Sequence, residues 1–342
     1  TIVRDNVPVS TVDAAYMIRD SLGYIRLDRF ADRTYEAFMQ ALDPLVQKGM
    51  KSLVLDLRNN GGGLLSEAVA IADELLAGNK LIVYTEGLHA PRVDYYSKRE
   101  GLFEEGGLTI LMDETSASAS EVLAGALQDW DRAKVVGRRS FGKGLVQQQF
   151  RLSNGGALRL TTAKYFTPLG RNIQRPYQNG KLAYEHDFIE RIVQSNGGAQ
   201  DTASIGKAYK TPKGNTVYGG GGIIPNHWVP SNALYADSNY AKLFVEGTVN
   251  EFILQYYLQS QNAFNQYKSV QAVVSAYSKQ DLTKVLDQYM RLTNKVGLPK
   301  SMMQNSLLQQ QLVANLARCK WYKQGYYEAI NLMDSNFLAA LK

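Results

Sequence analysis

Two rhythms of apolar residues alternate along the first two thirds of the chain. Gly23–Leu27 and Leu53–Leu57 are short apolar runs, the second interrupted only by Asp56, and both read as buried strands. Between them, Tyr35, Phe38, Met39, Leu42, Leu45 and Val46 fall on one helical face, and after the second strand Leu65, Val69, Ala72 and Leu76 mark a second helix. Leu108–Met112 reads as a further strand, followed by a helix with Leu123, Leu127 and Trp130 on one face and a strand at Lys134–Val136. After Gly137 the pattern becomes β-rich: Val146–Leu152 and Ala157–Phe166 carry strand formers and no good helix. A polar stretch with Gly197, Gly198 and Gly206 suggests a long loop before a Gly-rich turn at Gly219–Gly222.

From about Ser231 the composition shifts to Gln, Leu, Tyr, Asn and Lys. Tyr240–Leu258, Asp281–Leu292, Ser301–Ala317 and Tyr326–Leu338 read as helices, with Pro299 separating two of them. The expected organisation is an N-terminal extended segment over 1–22, an α/β core with a mixed sheet over 23–231, and an all-helical region over 232–342. That last region could cap a cleft, dock a partner or mediate self-association.

Composition narrows the class. Hydrophobic residues make up 45% of the chain and charged residues 20%, as in a packed globular protein. No stretch approaches the roughly 18 apolar residues that a membrane span requires. The net charge of +6 is spread thinly, without the basic stripe of a nucleic-acid binder, so no nucleic-acid partner is expected. Cys319 is the single cysteine, which excludes an internal disulfide and a cysteine-based metal site. It lies on an apolar helical stretch and is expected to be a small core residue. The chain begins at Thr1 rather than Met, which leaves a leader ahead of it open.

The candidate chemistry sits in three turns. Asp113-Glu-Thr-Ser-Ala-Ser118-Ala-Ser-Glu121 joins an apolar strand to an amphipathic helix. Small residues there let the chain turn sharply and place a hydroxyl where helix N–H groups lie unpaired. An ordinary helix cap would explain one such serine equally well. Gly137-Arg-Arg-Ser-Phe-Gly142-Lys143-Gly144 nearly matches a phosphate-binding loop, but Gly144 stands where a hydroxyl should hold magnesium, and Leu145–Phe150 reads as extended where a helix should begin. Lys143 is better used as a base. An ammonium cannot accept a proton, so a lysine base needs an apolar setting, which Phe141, Leu145 and the flanking glycines offer. The third turn, Leu55-Asp-Leu-Arg-Asn-Asn-Gly61-Gly62-Gly63, has N–H groups that could serve an oxyanion as readily as form a plain tight turn. His89, His186 and His227 lie in no such setting, so a Ser-His-Asp triad is hard to build.

Taken in order, these motifs, with Ala124–Asp129, Leu158–Ala163 and Tyr165–Pro168, resemble the C-terminal processing peptidases, also called tail-specific proteases. The resemblance is strong over about 23–180 and weaker over Gly219–Pro225. It implies a serine endopeptidase of mixed-sheet α/β fold in which Ser118 is the nucleophile and Lys143, 25 positions later, the general base, with Gln147 orienting the lysine. The N–H of Ala119 and one from Gly61, Gly62 or Gly63 would hold the oxyanion. No cofactor or metal is implied. The implied partners are protein or peptide substrates bound in extended form and cut near their C-termini, and the implied location is the bacterial cell envelope, in the periplasm. Asp129 is sometimes implicated in the family, but at a helix end it reads as structural. Family members usually carry a PDZ domain just before the strand near Gly23. The 22 residues there are too few for one, and Val3–Val9 reads as such a domain's trailing edge. A silent peptide-binding module of the same fold is the alternative.

Overall fold

The computed structural model describes Arg4 and residues 10–177, 180–196, 206–334, 337–338 and 341. The chain divides into two compact units, Thr1–Ile192 with Gln200–Trp228, and Val193–Ala199 with Val229–Lys342.

The first unit is built on a six-stranded sheet. Its strands are β1 (Val12–Arg19), β2 (Leu22–Leu27), β3 (Ser52–Asp56), β6 (Gly107–Met112), β7 (Lys134–Gly137) and β12 (His227–Trp228), in that spatial order. Only β1 runs antiparallel to its neighbour; the other pairings are parallel. Every residue of β2 is buried, as a strand between two others requires. Helices α1 (Thr34–Gln47), α2 (Leu65–Asp73) and α3 (Ala119–Asp129) supply the crossovers. Leu42, Leu53, Leu55, Ile71, Ile110, Leu123 and Leu127 meet in one hydrophobic core. All eleven residues of α3 are buried. Its small residues, Ala119, Ser120, Ala124, Gly125 and Ala126, allow that close packing, and a Cβ at Gly125 would come within 2.9 Å of the Thr167 methyl group.

An antiparallel sheet, ordered β5 (Val93–Tyr96), β4 (Leu81–Glu86), β9 (Ala157–Phe166) and β8 (Leu145–Arg151), completes this unit with the small pair β10 (Ala208–Lys210) and β11 (Thr216–Tyr218). The pattern reading did not contain β4, β5 or α4, a helix over Gly180–Asn196. The expected loop glycines Gly197 and Gly198 lie outside the described residues, as does Val3–Val9 apart from Arg4.

The second unit is helical: α5 (Ser238–Val245), α6 (Thr248–Phe264), α7 (Val270–Tyr277), α8 (Leu282–Leu292), α9 (Lys300–Met303) and α10 (Ser306–Met333). The single helix expected over Tyr240–Leu258 is two, broken at Gly247 with φ 76°. Asp237, Ser269, Asp281 and Asn305 cap their helices by accepting first-turn N–H groups. Phe252, Phe264, Tyr277, Leu286 and Leu312 form the core. α10 kinks where Trp321 and Tyr322 leave helical geometry, Tyr322 at φ 55° and ψ −149°. Cys319, expected in the core, is exposed. The buried stripe runs through Val313, Ala314, Leu316 and Ala317, which turns Cys319 outward. No helix of the described residues is long and apolar enough to cross a membrane.

Candidate active site

The three turns follow the carboxyl ends of three neighbouring parallel strands, β3, β6 and β7, the edge of an α/β sheet where ligands bind. Each turn is held by buried polar groups.

Asp56 ends β3, fully buried. Tyr24 donates to it at 2.7 Å, and the guanidiniums of Arg58 and Arg26 lie at 2.7 and 3.0 Å. Burial acts to raise this carboxyl, but the two arginines outweigh it and hold it well below the usual range. The backbone N–H of Asn59 then donates to both oxygens of Asp113 in the second turn, at 3.1 and 3.0 Å. The Asn60 carbonyl accepts from the Ala117 N–H at 3.0 Å and the Ser120 hydroxyl at 2.9 Å. The Gly-rich turn and the serine turn are therefore sewn together residue by residue.

Ser118 sits where β6 has ended and α3 begins, half-buried, with φ 55° and ψ −113°. A side chain at positive φ with that ψ costs about 1–3 kcal/mol and persists only where its surroundings enforce it. This is the sharp strand-to-helix turn that lifts a nucleophile out of the backbone in other hydrolases. Gly62 makes it possible. At φ +90° it packs so closely that a Cβ there would lie 2.7 Å from the Ser118 Cβ and 2.4 Å from the Ala117 carbonyl oxygen.

Glu121 is the residue that sequence reasoning passed over. Its fully buried carboxylate accepts from the backbone N–H of Ser118 and of Lys143 through one oxygen, Oε2, at 2.8 and 2.9 Å. Its other oxygen accepts from the Gly142 N–H and the Ser140 hydroxyl, both at 2.6 Å. One carboxylate thus fixes the serine turn against the lysine turn. Burial pushes the Glu121 carboxyl up, and the hydroxyl and amides that face it pull the other way. The residue stands at the end of the serine motif, but its partners lie across a loop that no periodicity reveals.

The structure therefore brings Ser118, Ala119 and Gly62 into contact and ties Lys143 to them through Glu121. Lys143 is half-buried, and its amine makes no hydrogen bond or ion pair among the described residues. Among the described residues the Ala119 N–H is also without a partner, as are those of Gly61 and Gly63, whereas Gly62 spends its N–H on the Asn60 side chain at 2.9 Å. Gln147 is exposed on β8 beside a bulge between Val146 and Gln147, without a side-chain hydrogen bond among the described residues. It is not brought to Lys143 by any bond. Asp129 is fully buried in an ion pair with Arg171 at 2.6 Å and accepts from the Leu169 N–H, a structural arrangement. His89, His186 and His227 are exposed. Strand β8 follows Lys143, where a phosphate loop would open a helix. Among the described residues no group of three or more His, Cys, Asp or Glu could hold a metal ion.

Residues 21–179, which contain all of these motifs, match the sequence model of peptidase family S41. A carboxy-terminal-processing protease of Bartonella bacilliformis is 42% identical over 178 residues, 51% of this chain and 40% of the relative. A carboxyl-terminal-processing protease of Synechocystis is 42% identical over 155 residues, 45% of this chain and 36% of the relative. Among solved structures, a photosystem II D1 C-terminal processing protease is 40% identical over 45% of this chain and 39% of its own, with a TM-score of 0.42. The chain spans about two fifths of the length of these curated relatives.

Proposed function

We propose that this chain is a serine endopeptidase that cuts extended polypeptides near their C-termini with a Ser118/Lys143 dyad. The observation that carries this reading is the strained Ser118 backbone at the start of α3, locked to the lysine turn through Glu121. Lys143, as the neutral amine, takes the Ser118 proton while Oγ bonds to the substrate carbonyl carbon. The oxyanion is met by the Ala119 N–H at the N-terminus of the buried helix and by an N–H of Gly61 or Gly63. As the C–N bond breaks, the lysine ammonium gives its proton to the leaving amine. Water then attacks the ester, Lys143 takes its proton, and the proton returns to Oγ as the acid product leaves.

Gln147 is assigned to orienting the lysine once substrate is bound, since the bulge beside it is a device that re-aims a side chain. Substrate docks by strand addition to β8, the edge of the antiparallel sheet, which begins two residues after Lys143. The names of the bacterial relatives favour work on the C-terminal tails of proteins; the cell envelope, in the periplasm, is the location that the sequence resemblance implies. The three-part division at 22/23 and 231/232 and self-association through the helical unit complete the reading.

The test is proteolysis of an unfolded reporter protein with a free C-terminal tail, by this chain and by Ser118→Ala. Cleavage abolished by the substitution supports a competent peptidase. Binding of the reporter without cleavage by either would favour the silent peptide-binding module instead.

A further inference from the structure

The segment Arg139–Lys143 joins β7 to β8 and carries the lysine into the site. Its amide edge is held by Glu121, through the Gly142 and Lys143 N–H groups. Of its carbonyls, that of Gly142 accepts from the Arg175 N–H at 2.9 Å, and the three from Arg139 to Phe141 are held by one side chain. Arg191, on α4 and only 4% exposed, donates Nη2 to the Ser140 carbonyl at 2.6 Å and to the Arg139 carbonyl at 3.3 Å, and Nη1 to the Phe141 carbonyl at 3.4 Å. The same helix encloses the Phe141 ring, with the Phe188 centroid at 4.9 Å and the Tyr184 centroid at 6.4 Å. The Arg175 guanidinium, 4.5 Å from the Phe141 centroid and 3.8 Å from that of Tyr184, pairs with Asp187 of α4 at 2.9 Å. α4 begins at Gly180, just past the end of the matched S41 segment.

Without Arg191 the peptide planes from Arg139 to Phe141 would be held by their amides but not by their carbonyls, and could pivot about that edge. Holding three consecutive carbonyls with a planar guanidinium removes the pivot, because the donors of an arginine are fixed in direction. We propose that α4 is a clamp on the lysine loop and that Arg191 is its positioning residue, setting where the Lys143 amine can reach. This rests on the Ser118/Lys143 reading. The loop lies between an anion on its amide side and a cation on its carbonyl side, so each polarity of the peptide groups meets its complement. Burial of Arg191 would be costly without those carbonyls, and it is spent at the approach to Lys143 rather than along the helix itself.

The test compares the wild-type chain with Arg191→Gln and Arg191→Lys, using an organophosphorus serine reagent and an unfolded polypeptide substrate. Arg191→Gln is expected to lower Tm, and in the folded fraction to slow Ser118 labelling and lower kcat by about 10- to 100-fold, with KM nearly unchanged. Arg191→Lys should restore part of the loss, since its ammonium can still reach the Ser140 carbonyl. Should Arg191→Gln not fold, Asp187→Asn, at a half-exposed carboxylate, should slow labelling without lowering Tm. Labelling at the wild-type rate in these variants, or a loss that only follows the fraction unfolded, would overturn the clamp while leaving the dyad standing. A wild-type chain that does not label at all would overturn the dyad and the clamp with it.

Discussion

Ser118 and Tyr322 share an uncommon backbone, each a non-glycine residue at φ 55°. Their surroundings differ. Tyr322 interrupts α10 at a kink and is 81% exposed. Ser118 is half-buried, its N–H is held by a buried carboxylate, and Gly62 is packed against its Cβ. The units around them differ in the same way. The helical unit is built from capped helices on an aromatic and aliphatic core, and among the described residues its buried carboxylate, Asp287, pairs with an exposed arginine, Arg291. The sheet unit buries Asp56, Asp129, Glu121, Arg171 and Arg191 around its strand ends. Strain alone is thus a poor marker of a site. Strain enforced by a network of buried polar groups is a good one, because both features cost stability and neither is needed to build a core.

Glu121→Gln should weaken the fold and the site together. An amide keeps one acceptor oxygen and turns an NH2 toward groups that donate, so at least one buried backbone N–H loses its partner. Denaturant titration should show a loss of about 2–4 kcal/mol, and peptide cleavage should fall roughly 100-fold. In the helical unit, Leu312→Ala should cost about 2–5 kcal/mol by leaving a cavity in a fully buried position, a packing effect with no polar network behind it. Replacing the strained residues by glycine sharpens the contrast further. Ser118→Gly and Tyr322→Gly should each relieve about 1 kcal/mol of backbone strain, but only the first should abolish cleavage.

A smaller effect is expected in pH. Burial holds the Glu121 carboxyl above its ordinary range, so the folded state binds that proton more tightly than the unfolded chain does. Its contribution to stability is therefore greatest in acid and is lost as pH rises from the ordinary carboxylate range through the raised value. Asp56, held low by Arg58 and Arg26, contributes in the opposite sense, losing stability as pH falls below the ordinary range. Urea midpoints across the acid range should show wild type losing ground to Glu121→Gln as pH rises, with an Asp56→Asn variant moving the other way.

Much of the sheet unit was legible because its strands are short apolar runs and its first three helices have clear apolar faces. Helix α4 was not, since it packs through Tyr184, Phe188 and Arg191 onto a loop rather than through an aliphatic stripe onto a core. The break at Gly247 and the outward turn of Cys319 depend on local backbone and on which side of α10 is covered, and composition does not carry either. In the site, Ser118, Lys143 and the glycine turn stood out as motifs. Glu121 and Arg191 did not, because each acts on residues brought near only by the crossing of β6 and β7 into neighbouring turns.

The dyad is tested most directly by mapping where and how fast an organophosphorus serine reagent adds to the wild-type chain and to folded Lys143→Ala. The account predicts one adduct, on Ser118, formed at a rate that climbs with pH in the wild type and is reduced by orders of magnitude in Lys143→Ala. Equal labelling of the two chains, or an adduct at another residue, would contradict it.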